Sequence, residues 1–214
     1  MVLSADKVSK VIQKKSVLSD ITLQLHSGNI YGFVGPNGSG KTMLFRALSG
    51  LMSTTAGTVS LDGKVLRRDL SVLPSLGIVL EQAGLYPNLT GFQNLTYLAK
   101  LKRRIGPDEI RLSLTRVGLD PEDMRTYRKY SLGMKQKLAI AQAVMEHPDV
   151  IMLDEPTNAL DEESVAQIRN LILEEKKRGA LILLASHNAE DIRVLVDVQY
   201  RIKDGRVWSQ EEVD

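Results

Sequence analysis

Runs of apolar residues alternate along the chain with segments in which apolar positions recur at helical spacing. The runs predict strands at Ser16–Leu25, Asn29–Gly35, Thr58–Leu61, Gly77–Leu80, Val150–Leu153 and Ala180–Ser186, then a hairpin of Val198–Ile202 with Arg206–Trp208 around Asp204-Gly205. Val150–Leu153 and Leu181–Leu184 contain no polar residue, which is typical of central strands covered on both faces. The pattern therefore predicts an α/β fold with a mostly parallel central sheet.

The stretch from Thr90 to about Glu146 differs from the rest, because it reads as successive helices without a strand candidate. Long helical stretches between two strand-rich parts indicate an insertion into one α/β core rather than a second domain of the same kind. We therefore expect a single domain over residues 1–214. Its core comprises residues 1–89 and 147–214, and its helical subdomain spans about 90–146.

Composition excludes several classes of protein. Hydrophobic residues make up 43% and charged residues 25%, as in an ordinary globular domain, and the net charge of +2 is too small to indicate a nucleic-acid surface. The chain has no cysteine, which excludes disulfides and thiolate metal sites. The apolar run around Ala180 is far shorter than the ~20 residues of a membrane-spanning helix. Asp6 and Lys7 lie where a signal peptide would be apolar.

The predicted strand Asn29–Gly35 leads into GPNGSGKT, which ends at Thr42 and is followed by a helical pattern. This is the phosphate-binding motif G-x-x-x-x-G-K-[ST] in its strand–loop–helix context. Backbone N–H groups of such a loop and the helix N-terminus surround a phosphate. Lys41 would reach the β- and γ-phosphates, and the Thr42 hydroxyl would ligate Mg²⁺. The predicted nucleotide contacts are Gly35, Asn37, Gly38, Ser39, Gly40, Lys41 and Thr42.

Two acidic residues follow the apolar strand Val150–Leu153. The carboxyl ends of parallel strands are where α/β ligand sites form, so Asp154 and Glu155 would lie beside the phosphates. Asp154 is expected to hold Mg²⁺, and Glu155 to orient or deprotonate the attacking water. His187 ends the neighbouring strand and could accept or relay a hydrogen bond from that water. Glu155 and His187 are therefore the predicted catalytic residues.

Taken together, these motifs resemble those of the ATP-binding subunit of an ABC transporter, over nearly the whole chain. GPNGSGKT is similar to the Walker A loop, VIMLDE to the Walker B strand, NALD to the D-loop and Ser186-His187 to the switch histidine. YSLGMKQ, from Tyr130 to Gln136, resembles the LSGGQ signature. The forms YSLGMKQ and LDEPTNALD look like the branch that drives bacterial exporters of drugs, bacteriocins or lantibiotics.

The resemblance implies a P-loop NTPase core with a mostly parallel sheet, an N-terminal antiparallel β part and the inserted helical subdomain. It implies ATP with Mg²⁺ as ligands, and hydrolysis that powers transport through a permease on a separate chain. Ser131, which suits a helix N-cap, and Gly133 would bind the γ-phosphate held by a second subunit, and Asp161 would help to couple the two sites. The resulting head-to-tail dimer could pair identical or different chains. The protein would lie in the cytoplasm, on the inner face of the cell membrane.

Three positions depart from the family pattern. Leu132 replaces the first glycine of the signature, so its bulk would lie near the partner's nucleotide. At the position of the Q-loop glutamine stands Glu81, with Gln82 one residue later, and either could contact Mg²⁺ or the attacking water. Ile12 takes the place of the aromatic residue that usually stacks on adenine, which predicts weaker selectivity for the base.

Two other functions compete with transport. ATPases that act on DNA share the same ATP sandwich, but they insert long coiled coils between the two nucleotide motifs. Here about ninety residues separate Lys41 from Ser131, without sustained heptads. A small-molecule kinase with a phosphate loop would leave YSLGMKQ and NALD unexplained. We therefore expect no direct contact with nucleic acid.

Overall fold

The computed structural model describes residues 1–80 and 84–213. Its strands are β1 (Val2–Ile12), β2 (Lys15–His26), β3 (Ile30–Val34), β4 (Ala56–Leu61), β5 (Lys64–Val65), β6 (Leu76–Val79), β7 (Val150–Asp154), β8 (Leu181–Ala185), β9 (Val198–Lys203) and β10 (Arg206–Glu212). Its α-helices are α1 (Lys41–Leu48), α2 (Gly91–Lys102), α3 (Pro107–Arg116), α4 (Leu132–Val144), α5 (Glu162–Lys177) and α6 (Ala189–Leu195), with a short 3₁₀ helix at Tyr127–Lys129. Within the described residues, no helix combines the length and the apolar character needed to cross a membrane.

The larger sheet has six strands in the order β10-β9-β3-β8-β7-β6. Strands β9, β3, β8, β7 and β6 run parallel, and β10 returns antiparallel to β9. The mostly parallel sheet predicted from the apolar runs is therefore confirmed. Because the five parallel strands share one direction, the loops that follow them lie along the same edge of the sheet.

The buried residues of β7 and β8 alternate between the two faces of this sheet. Val150 and Met152 pack into one apolar cluster with Phe33 and Phe45, while Ile151 belongs to the cluster on the other face. The period of two residues is that of an extended strand, whose successive side chains point to opposite faces. Both faces are covered, as the unbroken apolar runs predicted.

The smaller sheet is antiparallel, in the order β2-β1-β4-β5. It confirms the antiparallel β part at the N-terminus, but the sequence analysis did not recognise β1 as a strand, and that omission was wrong. β1 buries Leu3, Ala5 and Val8, and its register with β2 shifts between Ala5 and Val8. The irregularity interrupts the simple alternation that identifies a strand in the sequence.

Residues 90–146, all of which the structure describes, contain α2, α3, the 3₁₀ helix and α4 and no β-strand. Thr90 begins α2 with a capping box, in which its side chain accepts a hydrogen bond from the Gln93 amide and the Gln93 side chain returns one. Buried side chains of α4 share an apolar cluster with β7 and α5. The exact limits of a helical subdomain stay a prediction.

An ion-pair network joins α3 to α5. Glu175 is only 2% exposed, and its two carboxylate oxygens lie 2.7 Å from Arg116 Nη2 and 2.8 Å from Arg178 Nε. Arg116 also contacts Glu174, at 3.0 Å. A buried carboxylate is stable only when it is paired and hydrogen-bonded, so this network fixes α3 against α5.

Candidate functional site

The phosphate loop leaves β3 and enters α1 through backbone conformations that require glycine. A Cβ atom on Gly35 would overlap the carbonyl oxygen of Ile202 on β9. Gly40 has a φ of 112° and caps the N-terminus of α1, and side chains with a Cβ rarely adopt that conformation. The loop is therefore packed closely against β9.

Lys41 is only 7% exposed, and its Nζ donates hydrogen bonds to the carbonyl oxygens of Gly35, at 2.7 Å, and Pro36, at 3.3 Å. The ammonium group thus lies over the loop. The buried hydroxyl of Ser39 has no hydrogen-bond partner among the residues that the structure describes. A buried hydroxyl without a partner is costly, so the loop suits a ligand that supplies polar atoms, such as a phosphate.

Thr42 and Asp154, which are 112 positions apart, are joined by a hydrogen bond of 2.6 Å from Thr42 Oγ1 to Asp154 Oδ2. Thr42 is the second residue of α1, beside the phosphate loop, and Asp154 ends β7. A hydroxyl and a carboxylate are the oxygen donors that Mg²⁺ prefers, with phosphate oxygens and water as the remaining ligands. The donor set fits Mg²⁺. Glu81 and Gln82, the other predicted ligands, lie outside the described residues.

Glu155 and His187 meet at the ends of β7 and β8. The Nδ1 atom of His187 lies 2.7 Å from Oε2 of Glu155, and the His187 amide lies 3.4 Å from the same oxygen. Glu155 has a left-handed φ of 51°, and its amide donates to the carbonyl oxygen of Ala185 at 2.8 Å. This unusual backbone conformation turns the Glu155 side chain toward the edge of the sheet where the phosphate loop lies.

The loops that carry Glu155 and His187 are held by a buried carboxylate that the sequence analysis did not single out. Asp191 on α6 is fully buried and accepts hydrogen bonds from Thr157 at 2.5 Å and from Ser186 at 3.3 Å. Arg169 on α5 donates two more, at 2.8 and 2.7 Å. The N-cap of α6 at Asn188 could have indicated a helix here, but no local signal predicts the partner on α5.

A cavity of about 560 Å³ brings most of these groups together. It is lined by Lys15, Ser16, Val17, Asn37, Gly38, Gly40, Lys41, Thr42, Met43, Asp154, Glu155, Asp204 and Gly205. Seven of these residues were predicted from the phosphate loop and the acidic strand end. The segment Lys15–Val17, Met43 and the turn Asp204-Gly205 were not. Of the sequence-predicted residues, Gly35, Ser39 and His187 border the same region without forming the wall of the cavity.

Ile12 lies at the end of β1, is 38% exposed and pairs with Lys15 across the β1–β2 hairpin. It is not part of the cavity wall, which instead contains Lys15, Ser16 and Val17. The contact of Ile12 with a base stays a prediction.

Ser131 and Gly133 lie on a different surface. Ser131 caps α4 by accepting a hydrogen bond from the Met134 amide at 3.1 Å, and Gly133 lies against the carbonyl oxygen of Ala159. A second cavity, of about 360 Å³, is lined by Ser131, Leu132, Gly133, Met134, Lys137, Ala159, Leu160, Asp161 and Ser164. It shares no wall residue with the larger cavity. The NALD segment and the start of α4 therefore form one surface of their own.

Asp161 stabilises this surface by capping α5. Its carboxylate accepts a hydrogen bond from the Ser164 amide at 2.8 Å, and hydrogen bonding with Ser164 lowers the pKa of Asp161 below its ordinary value. α4 is in turn tied to the catalytic strand end, because Gln136 Nε2 donates to the carbonyl oxygens of Glu155, at 3.1 Å, and Pro156, at 3.3 Å.

Comparison with known proteins gives consistent results. The family model described as ABC transporter matches residues 18–158. The chain is 45% identical to the uncharacterized ABC transporter ATP-binding protein YybJ of Bacillus subtilis (strain 168), covering 96% of this chain and 94% of that protein. It is 36% identical to the bacitracin transport ATP-binding protein BcrA of Enterococcus faecalis, covering 99% and 70%. Its fold matches the dimeric structure of MJ0796, a bacterial ABC transporter cassette, with a TM-score of 0.90 over 99% of both chains at 24% identity.

Proposed function

This chain belongs to the ABC transporter family as an ATP-binding subunit that hydrolyses ATP, and we propose that ATP hydrolysis in its larger cavity drives transport through a separate membrane permease. One observation carries the assignment of the site. The hydrogen bond between Thr42 and Asp154 joins the phosphate loop to the acidic strand end, 112 positions later in the chain. Two motifs that are far apart in sequence thus form one site.

The phosphate loop binds the triphosphate. Lys41 exchanges its contacts with the Gly35 and Pro36 carbonyl oxygens for the β- and γ-phosphates, to which a cation is more strongly attracted. The Ser39 hydroxyl gains a partner on the same ligand. Thr42 and Asp154 would hold Mg²⁺, which would supply positive charge beside the phosphate oxygens.

Glu155 acts as the catalytic base. Its carboxylate lies at the γ-phosphate end of the cavity, where it orients the attacking water and accepts its proton. His187 positions this carboxylate through the 2.7 Å contact of its Nδ1 atom. When that nitrogen carries the proton, Nε2 stays available to accept a hydrogen bond from the water.

The composite site requires a second subunit. Ser131 and Gly133 lie on a surface that is separate from the chain's own larger cavity, at the N-terminus of α4, where a hydroxyl and backbone N–H groups suit an anion. A twofold pairing would place this surface over the partner's γ-phosphate. The related MJ0796 cassette has a dimeric structure. Leu132 is 62% exposed at this surface, and its bulk would weaken a homodimer or mark this chain as half of a heterodimer.

Family membership supports the proposed permease and the proposed location. The ATP-binding protein BcrA is named for bacitracin transport, and a transport ATPase needs a membrane protein through which the cargo passes. We place this chain in the cytoplasm, peripheral on the inner face of the cell membrane, in contact with that permease. The relatives favour transport over a function on nucleic acid.

Two substitutions test the proposed site. Lys41→Ala should abolish ATP binding, because it removes the cation that the loop offers to the phosphates. Glu155→Gln should keep ATP affinity within about threefold and lose at least about 10²-fold in turnover, because it removes the base. Titration with ATP and release of phosphate measure the two effects. Lys177→Ala, on the exposed end of α5, is the matched control. Near-normal turnover in Glu155→Gln would contradict the proposed role.

A further inference from the structure

The order of the strands indicates the direction in which a nucleotide would lie in the larger cavity. β9, β3, β8 and β7 are parallel and stand in that order, so their following loops share one edge. The phosphate loop follows β3, and the acidic pair Asp154 and Glu155 lies at the end of β7, on one side of it. The turn Asp204-Gly205 follows β9, on the other side. A triphosphate whose γ-end faces Glu155 therefore directs its nucleoside toward that turn.

The turn is fixed rigidly to the phosphate loop. The Gly205 amide donates to the carbonyl oxygen of Ser39 at 2.9 Å, and the Gly205 carbonyl accepts from the Ser19 amide at 2.8 Å. A Cβ atom on Gly40 would lie 3.4 Å from the Gly205 Cα. Asp204 precedes this anchored glycine, so its carboxylate is held about one residue's length from the loop that binds the phosphates.

The chemistry of Asp204 matches the group that comes next along the nucleotide. Ribose directly follows the α-phosphate, and it presents two neighbouring hydroxyl donors. A carboxylate is an acceptor with two oxygens, and it binds ribose hydroxyls in dinucleotide folds. Asp204 is exposed and lines the same cavity as Lys15, Ser16 and Val17.

We propose that Asp204 binds the ribose hydroxyls of ATP and selects nucleotides that carry them. This inference rests on the proposed assignment of the larger cavity to ATP. It also gives the site a polar contact to the nucleoside that does not depend on an aromatic residue at Ile12.

The chain contains a matched control for this residue. Asp62-Gly63 is the same dipeptide in the turn between β4 and β5, and Asp62 and Asp204 have nearly equal φ values of 47° and 50°. Asp62 lies outside the wall of the larger cavity, where its carboxylate accepts a hydrogen bond from the Val2 amide at 2.7 Å. Glycine tolerates positive φ without strain, so Asp204→Gly and Asp62→Gly remove a carboxylate while the turn keeps its conformation.

The test compares ATP with 2′,3′-dideoxy-ATP by calorimetric titration without Mg²⁺, which prevents hydrolysis. The wild-type chain should bind ATP about tenfold more tightly, as one charge-assisted hydrogen bond contributes. Asp204→Gly should bind ATP about tenfold more weakly and dideoxy-ATP unchanged, which removes the preference. Asp204→Asn keeps an acceptor oxygen and should retain a smaller preference. Asp62→Gly should retain the full preference.

The possible outcomes distinguish failure of the ribose contact from failure of the proposed ATP site. If Asp204→Gly weakens both nucleotides equally, or changes neither, the ribose contact is overturned while the ATP site stands. If the wild-type chain binds neither nucleotide, the assignment of the cavity to ATP is overturned, and the inference falls with it.

Discussion

The Nδ1 atom of His187 lies 2.7 Å from the Oε2 atom of Glu155. A carboxylate that serves as a base can only accept a hydrogen bond, so a hydrogen bond at this contact requires a proton on Nδ1 of the imidazole. The contact links the ends of β7 and β8 and fixes the carboxylate at the edge of the cavity. The orientation of Glu155 therefore depends on a residue 32 positions away in the chain.

We expect His187→Ala to slow ATP turnover by about 10² and to change ATP affinity by less than about threefold, because the substitution frees the base without touching the phosphate contacts. Phosphate release at saturating ATP and an independent titration measure the two effects. His26→Ala, on the exposed end of β2, is the control and should behave as wild type. A loss of affinity equal to the loss of turnover would show that His187 supports binding instead.

We expect the Glu155→Gln chain to be monomeric without nucleotide and to dimerise with ATP and Mg²⁺, because the γ-phosphate would receive its last donors from the partner's Ser131 and Gly133. Light scattering with and without ATP measures the change in mass. Ser131→Arg should prevent dimerisation, since a large side chain would occupy the place of the phosphate. Thr115→Arg, on the exposed surface of α3, is the control and should not interfere. A dimer that survives Ser131→Arg would show that the chains associate through another surface.

We expect Ile12→Tyr to tighten ATP binding and to improve discrimination against GTP, because stacking of a base on an aromatic ring contributes about 1–3 kcal/mol in other contexts. Ile12 is 38% exposed at the end of β1, so the larger ring can be accommodated there. Competitive titration with ATP and GTP measures both effects. An unchanged dissociation constant for ATP would show that the base does not reach this position.

The pKa of Tyr200 is raised by burial to about 12, and its ring is stacked on Phe33 with centroids 5.4 Å apart. An unfolded tyrosine loses its proton near pH 10, whereas Tyr200 in the folded chain keeps its proton up to about pH 12. Between these pH values, loss of the proton lowers the free energy of the unfolded chain but not that of the folded chain. The free energy of unfolding should therefore fall with rising pH in this window, by about 2–3 kcal/mol from this residue.

Tyr200→Phe removes the titrating group, so the variant should lose less stability than the wild type over the same pH range. Urea unfolding at pH 9 and at pH 11.5 measures the difference. Equal losses in the two proteins would show that Tyr200 does not contribute to alkaline destabilisation.

The parallel sheet could be predicted from the sequence, but β1 could not. The reason is the spacing of its three buried residues. Leu3 and Ala5 are two positions apart, whereas Val8 follows after three, yet all three are buried on the same sheet. Lys7, with a φ of 49°, lies in this irregularity of β1. The extra residue returns the side chain of Val8 to the buried face of the strand. Alternation is visible in a sequence only when no bulge changes its phase.

In the functional site too, contacts made by contiguous residues could be predicted from the sequence, whereas contacts between distant residues could not. The phosphate contacts were predictable because Gly35 to Thr42 are contiguous and follow one motif. Asp204 was recognised only as a turn residue, since its place in the cavity depends on β9 lying beside β3. Asp191 and Arg169 form their contact between two helices, and neither carries a local signal of its partner.

The pairing of Glu175 with Arg116 and Arg178 constrains how the helical region can respond to ATP. If α3 moved away from α5, the buried carboxylate of Glu175 would lose the positive charge of Arg116, at a cost in free energy. Rotation about this contact keeps the charges together, whereas translation separates them. Any movement of α3 relative to α5 that keeps this ion pair would therefore have to turn about Arg116 rather than separate the two helices.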